Sequence, residues 1–167
     1  MKRLLWLLPI AAVIGLDQLT KYLAVLKLQP IDTHPIINDV LHLTYVENSG
    51  AAFGILKNSR WVFMIISTLA TVAIIAFMLA AYKKKYYNPI LYFGLAFIAG
   101  GGIGNMIDRV ALGYVVAFID FRLINFAVFN VADIFVCVGC AIVFLKIILD
   151  DIAESRKKKT GDHSSEN

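Results

Sequence analysis

Charge is what this chain lacks most. Asp, Glu, Lys and Arg make up only 17% of its 167 residues, whereas 59% are hydrophobic and the mean hydropathy is +0.73. That balance excludes an ordinary soluble domain and points to a membrane protein. The net charge of +4 is no nucleic-acid signal, because the basic residues collect in flanks rather than in a stripe. Cysteine is nearly absent. Cys137 and Cys140 form a CxxC inside an apolar stretch, with no second pair, so packing by small side chains is expected rather than redox chemistry. His34, His42 and His163 lack ligand spacing with one another or with the cysteines, so a structural metal site is not expected.

Also missing is a secretory cleavage site. Lys2 and Arg3 precede an apolar run, as in a signal peptide, but no small-residue site follows and the run continues past Asp17. No Leu-x-x-Cys lipidation pattern lies near it. The segment reads as a retained anchor.

What is present is four long apolar spans, at about 4–26, 61–82, 89–107 and 131–149. Each approaches the ~20 residues needed to cross a bilayer core. Lys2 and Arg3, then Lys83, Lys84 and Lys85, then Arg156, Lys157, Lys158 and Lys159 all fall on one side of a four-span topology. The positive-inside rule makes that side the cytoplasm, with both termini inside and loops 27–60 and 108–130 outside. The expected fold is an all-α membrane protein of four transmembrane helices, with a small β-sheet formed by the two outer loops. Residues 1–154 would be the membrane domain. Residues 155–167 would be a charged, disordered cytoplasmic tail.

The outer loops carry strand patterns. In 40–46, Leu41, Leu43 and Tyr45 alternate with His42 and Thr44, which makes His42 a surface strand residue rather than a base. Glu47-Asn48-Ser49-Gly50 is a turn signal, and the small apolar Ala51-Ala52-Phe53-Gly54 after it suits a close approach to the bundle. Gly113 opens a second β-branched and aromatic stretch over 114–121, with 125–129 expected to pair back and aromatics at headgroup depth. Gly100, Gly101, Gly102 and Gly104 are no phosphate loop, since no Lys-Ser/Thr follows. Gly100 and Gly104 are spaced for close helix packing, which lets Asn105 and Asp108 face the interior.

Ionisable residues inside or at the edge of a membrane are functional candidates. Asp17 lies about 20 Å along the first helix, with Lys21 one turn on. An ion pair that fixes the helix rotation accounts for both, and a direct chemical role is the alternative. Asp108 and Arg109 close the third span, where an interfacial ion pair would explain them. Asn130 suits an N-cap of the fourth helix, with Asp133 favoured by the dipole in its first turn. Asp17, Asp108, Asp120 and Asp133 nevertheless gather toward one membrane face, near Asn48, Asn105, Arg109 and Asn130. Peptide hydrolysis by carboxylates needs two that share a proton, one activating water and one donating to the leaving group.

Asp17-Gln18-Leu19-Thr20-Lys21, Asn48-Ser49-Gly50-Ala51-Ala52-Phe53, Gly104-Asn105-Met106-Ile107-Asp108-Arg109 and Phe129-Asn130-Val131-Ala132-Asp133 follow one another in an order that resembles lipoprotein signal peptidase, the signal peptidase II family. The resemblance spans nearly the whole chain up to the tail. It implies a membrane aspartic endopeptidase of the bacterial cytoplasmic membrane, active near the outer face. Its substrates would be prolipoproteins carrying a diacylglyceryl group, cut just before the lipidated cysteine. It implies Asp133 as one catalytic aspartate. Asn48, Gly50, Asn105, Asp108, Arg109 and Asn130 would line the site, with Asp17 and Lys21 supporting. No metal or organic cofactor is implied; membrane lipid and globomycin-type inhibitors are implied partners, and the chain is expected to be a monomer.

One residue departs from that pattern. The family reads Gly-x-Val-x-Asp-Phe where this chain reads Gly113-Tyr114-Val115-Val116-Ala117-Phe118. Ala117 supplies no proton and no charge, so the chain is expected to be an inactive or nearly inactive Asp→Ala variant. Asp120 is no substitute if the stretch is extended, since the two positions then face opposite ways. Because everything around position 117 keeps the pattern, an introduced change that stops turnover accounts for it better than a natural pseudo-enzyme does. A non-catalytic binder of lipid-modified peptides and a small transporter are the alternatives.

Overall fold

The computed structural model describes residues 7–49, 60–83 and 88–162. Four helices, α1 (Leu7–Lys27), α2 (Arg60–Lys83), α3 (Pro89–Ala111) and α4 (Val131–Asp162), are each long and apolar enough to cross a membrane. Three strands, β1 (Thr33–Ile37), β2 (Leu41–Asn48) and β3 (Val115–Phe121), form one antiparallel sheet in the order β1-β2-β3.

α3 is the central helix and packs against α1, α2 and α4. Its start is set by Asn88, whose side chain accepts the Leu91 N–H at 3.1 Å, with Pro89 just inside. Large apolar side chains such as Ile65, Leu69, Phe144 and Ile148 point outward from α2 and α4, as lipid-facing surfaces require. Lipid is as apolar as leucine, so helices in a bilayer associate through close packing and polar contacts. Both are visible here. A Cβ on Gly101 would lie 2.5 Å from the Ala132 carbonyl of α4, and one on Gly100 would lie 2.8 Å from Val13 of α1. The buried Tyr92 hydroxyl donates to the Met78 carbonyl of α2 at 2.6 Å.

Several bounds differ from expectation. α3 runs on through Asp108 and Arg109 to Ala111, and the Leu112 N–H closes it on the Asp108 carbonyl. α4 continues to Asp162, so the segment expected to be disordered from Ser155 is helical that far. Its Glu, Arg and Lys residues are good helix formers, and no proline interrupts them. Glu47 and Asn48, expected in a turn, belong to β2, where they pair with Val116 and Val115. β1 was not anticipated. It is short, fully exposed and contains Pro35, and it is a strand because it pairs with β2. Cys137 and Cys140 are exposed rather than packed; Gly139 between them is the buried residue. The segment with Gly50, Ala51, Ala52, Phe53 and Gly54 lies outside the described residues.

The sheet joins the ends of α3 and α4. Gly113, at φ 89°, makes the left-handed turn that leads from α3 into β3. β3 then runs along β2, with Val46 opposite Ala117. After a 3-10 turn, Arg122–Ile124, the chain pairs back as expected: Phe129 bridges Ile119 antiparallel, and α4 begins two residues later. Val116 and Phe118 pack with Ala24 and Leu28 at the C-terminal end of α1.

Candidate active site

A buried polar cluster links α1, α3 and α4. Lys21 Nζ lies 2.8 Å from Asp17 Oδ2, 3.0 Å from Asp108 Oδ2 and 2.9 Å from Asn105 Oδ1. Asp17 is fully buried and Lys21 is 3% exposed. Unpaired charges there would cost several kcal/mol each, so three acceptors around one ammonium are a structural necessity. The expected Asp17–Lys21 pair is thus present, but it extends further than local spacing shows. Asp17 Oδ1 also accepts the Ala132 N–H at 3.0 Å, satisfying a free donor at the start of α4. Gly104 makes room for this carboxylate: a Cβ there would stand 2.5 Å from Asp17 Oδ2.

Asp108 is tied on both oxygens. Oδ1 accepts from Gln18 Nε2 at 2.9 Å and Oδ2 from the Val116 backbone at 3.0 Å, so the end of α3 holds β3 one residue before Ala117. Its ion pair is with Lys21. Arg109 donates to the Asn105 carbonyl at 3.2 Å and feels the charges of both Asp133 and Asp108.

At the start of α4, Asn130 and Asp133 cap each other. Asn130 Oδ1 accepts the Asp133 N–H at 3.0 Å, and Asp133 Oδ2 accepts the Asn130 N–H at 3.1 Å. The capping expected from sequence is present. It leaves Asp133 Oδ1 to accept from Asn105 Nδ2 at 2.8 Å.

Beside this cluster lies a cavity of about 520 Å³. Asn48, Asn105, Arg109 and Asp133 are its polar lining, with Ala117 also in the wall. Phe126, Val128, Phe129, Ile134 and Val138 form its apolar part, which Cys137 also lines. A few polar groups in the wall of an otherwise apolar cavity make a default binding site. Ala117 itself is 1% exposed.

Asp120 is engaged elsewhere. Arg122 Nε and Thr44 Oγ1 both donate to its Oδ2, at 2.8 and 2.7 Å. Burial alone would raise its carboxyl pKa, but those two bonds, the Arg122 charge and His42 hold it below the ordinary value. His42, expected on the surface, is buried opposite Asp120, with its Nδ1 3.4 Å from Thr33 Oγ1 and its Nε2 without a hydrogen-bond partner among the described residues. Period-two alternation marks a strand face but not what covers it. Burial also raises the Tyr45 hydroxyl pKa, and its bonds to Tyr114 and Glu47 push the same way. Among the described residues no cluster of His, Cys, Asp or Glu could hold a metal.

Four bilayer-length helices and a cavity lined by both polar and apolar side chains define a multi-pass membrane protein with a candidate binding site. A solved structure described as a bacterial membrane enzyme is similar, with a TM-score of 0.78 and 31% identity over 87% of this chain and 88% of that one. The chain belongs to the signal peptidase II family, whose model matches residues 9–149, and it is therefore of a protease class. Similar proteins include the lipoprotein signal peptidase of Clostridioides difficile strain 630, 46% identical over 87% of this chain and 95% of that protein. The lipoprotein signal peptidase of Caldanaerobacter subterraneus subsp. tengcongensis is 50% identical over 80% of this chain and 89% of that protein.

Proposed function

We propose that this chain is the scaffold of an aspartic endopeptidase that removes signal peptides from diacylglyceryl-modified prolipoproteins, with Ala117 in the place of one catalytic aspartate. The supporting observation is that Ala117 and Asp133 line one cavity together with Asn48, Asn105 and Arg109. With an aspartate at position 117, the two carboxylates would share one proton. The ionised one takes a proton from water, whose oxygen attacks the scissile carbonyl carbon. The protonated one donates to the leaving amine. Asn48 and Arg109 offer donors for the substrate backbone, and Gly50 joins them by family resemblance. The apolar part of the cavity suits an acyl chain or an apolar signal segment. Globomycin-type inhibitors would occupy the same cavity. The enzyme would work as a monomer at the outer face of the bacterial cytoplasmic membrane, with both termini in the cytoplasm.

As it stands the chain would bind substrate and turn over little or none of it. Asp120 gives no rescue, since its carboxylate is held by Arg122 and Thr44. The test is cleavage of a diacylglyceryl-modified prolipoprotein by this chain and by Ala117→Asp, with and without globomycin. Globomycin-sensitive cleavage before the lipidated cysteine by the substituted protein alone supports the reading. Binding by both with cleavage by neither supports a non-catalytic binder, the alternative for which Ala117 is the one sequence feature, and removes Asp133 from a catalytic role.

A further inference from the structure

We propose that Lys21 is a positioning residue for Asp133, acting through the carboxamide of Asn105. The inference rests on Asp133 being a reacting group in the function proposed above. Asn105 stands between the two: its Oδ1 accepts from Lys21 Nζ at 2.9 Å and its Nδ2 donates to Asp133 Oδ1 at 2.8 Å. An ammonium has only donors, and an ionised carboxylate has only acceptors. A carboxamide between them satisfies both ends in one orientation alone.

Turned over, the Asn105 amide would set its NH2 against the Lys21 ammonium and its oxygen against the Asp133 carboxylate. In a buried setting each such mismatch is costly. Asn130 reinforces the choice. Its Nδ2 donates to the same Asn105 oxygen at 3.0 Å and to the Val116 carbonyl at 3.0 Å, while its Oδ1 holds the Asp133 N–H. Asn130 therefore cannot turn to accommodate a reversed Asn105. The Lys21 ammonium is itself held by Asp17 and Asp108, which leaves its third proton for Asn105. Rotation of α1 is in this way converted into the angle of one carboxylate on α4.

A purely structural account gives Lys21 no task except to offset the charges of Asp17 and Asp108. The two accounts separate in a neutral variant, Lys21→Met with Asp17→Asn, which removes one buried charge of each sign together with the donor and leaves Asp108 untouched. The background is full-length Ala117→Asp in lipid nanodiscs, with a diacylglyceryl-modified peptide substrate and rates normalised to folded protein. We expect Lys21→Met to lower kcat about 10–100-fold with little change in KM, because a small misplacement of a reacting group costs that much. Asn105→Ala should lower kcat at least as far, and adding Lys21→Met to it should bring little further loss. The neutral variant should recover the unfolding midpoint lost in Lys21→Met but not its kcat. Recovery of kcat in the neutral variant, or multiplying effects of Lys21→Met and Asn105→Ala, overturns the proposal.

One readout does not depend on cleavage. In the Ala117 chain, the side-chain NH2 protons of Asn105, followed by NMR in micelles, should exchange with solvent at least about ten times faster in the neutral variant. Unchanged exchange overturns the proposal. If Ala117→Asp fails to cleave, the reading of function fails, and this measurement still decides whether Lys21 orients Asn105.

Discussion

Asp17 Oδ1 accepts the backbone N–H of Ala132 at 3.0 Å, so α1 supplies a cap for a helix that begins more than a hundred residues further along the chain. The same carboxylate pairs with Lys21 through its other oxygen. One side chain therefore joins the first helix to the last at the level of the site.

Asp17→Ala removes both contacts and leaves Lys21 with fewer counter-charges. Breaking a buried pair in this way costs about 3–5 kcal/mol. Thermal unfolding in micelles should show the drop, and Asp17→Asn, which keeps an acceptor for Ala132, should lose less.

Glycine substitutions give an internal comparison. Gly104→Ala places a methyl group 2.5 Å from Asp17 Oδ2, where the carboxylate has nowhere to move. A loss of about 1–3 kcal/mol is expected from such overpacking. Gly15 on α1 has nothing within 4 Å of its added Cβ, so Gly15→Ala should be neutral or raise stability by up to about 1 kcal/mol. Unfolding midpoints of the two variants should move in opposite directions, or the second should not move.

Acid should loosen the sheet through Asp120. Its folded pKa lies below the ordinary 3.8, so ionised Asp120 stabilises the fold fully above that value. The contribution is lost as pH falls through the folded value. Unfolding midpoints followed downward from about pH 6 should fall less steeply below 3.8 in Asp120→Asn than in the parent chain.

In Ala117→Asp, replacing Asp133 by Asn should return cleavage to the level of the present chain, a loss of about a thousand-fold or more. Asp120→Ala in the present chain should leave any residual cleavage unchanged. A dependence of that residual activity on Asp120 would show that this carboxylate reaches the cavity after all.

The four spans were legible because an apolar run of bilayer length has no stable place in a small soluble domain. Asn130 and Asp133 were legible as a helix start because capping is local chemistry. Lys21 shows where such reading stops. Its partner one turn away on α1 follows from spacing, but Asp108 and Asn105 reach it only because glycines on α3 let α1 come close. β1 and the buried His42 escaped for a related reason: pairing and cover come from strands distant in sequence. The charged end of α4 misled because its residues suit a helix and a solvated tail equally.

The bridge between Ile119 and Phe129 ties β3 to the start of α4 outside the apolar span. A thinner or thicker bilayer that tilts α4 therefore also pulls on the strand bearing position 117. Because β2, α1 and Asp108 of α3 hold the same strand, a change in the tilt of α4 is felt through this bridge by every element around the cavity.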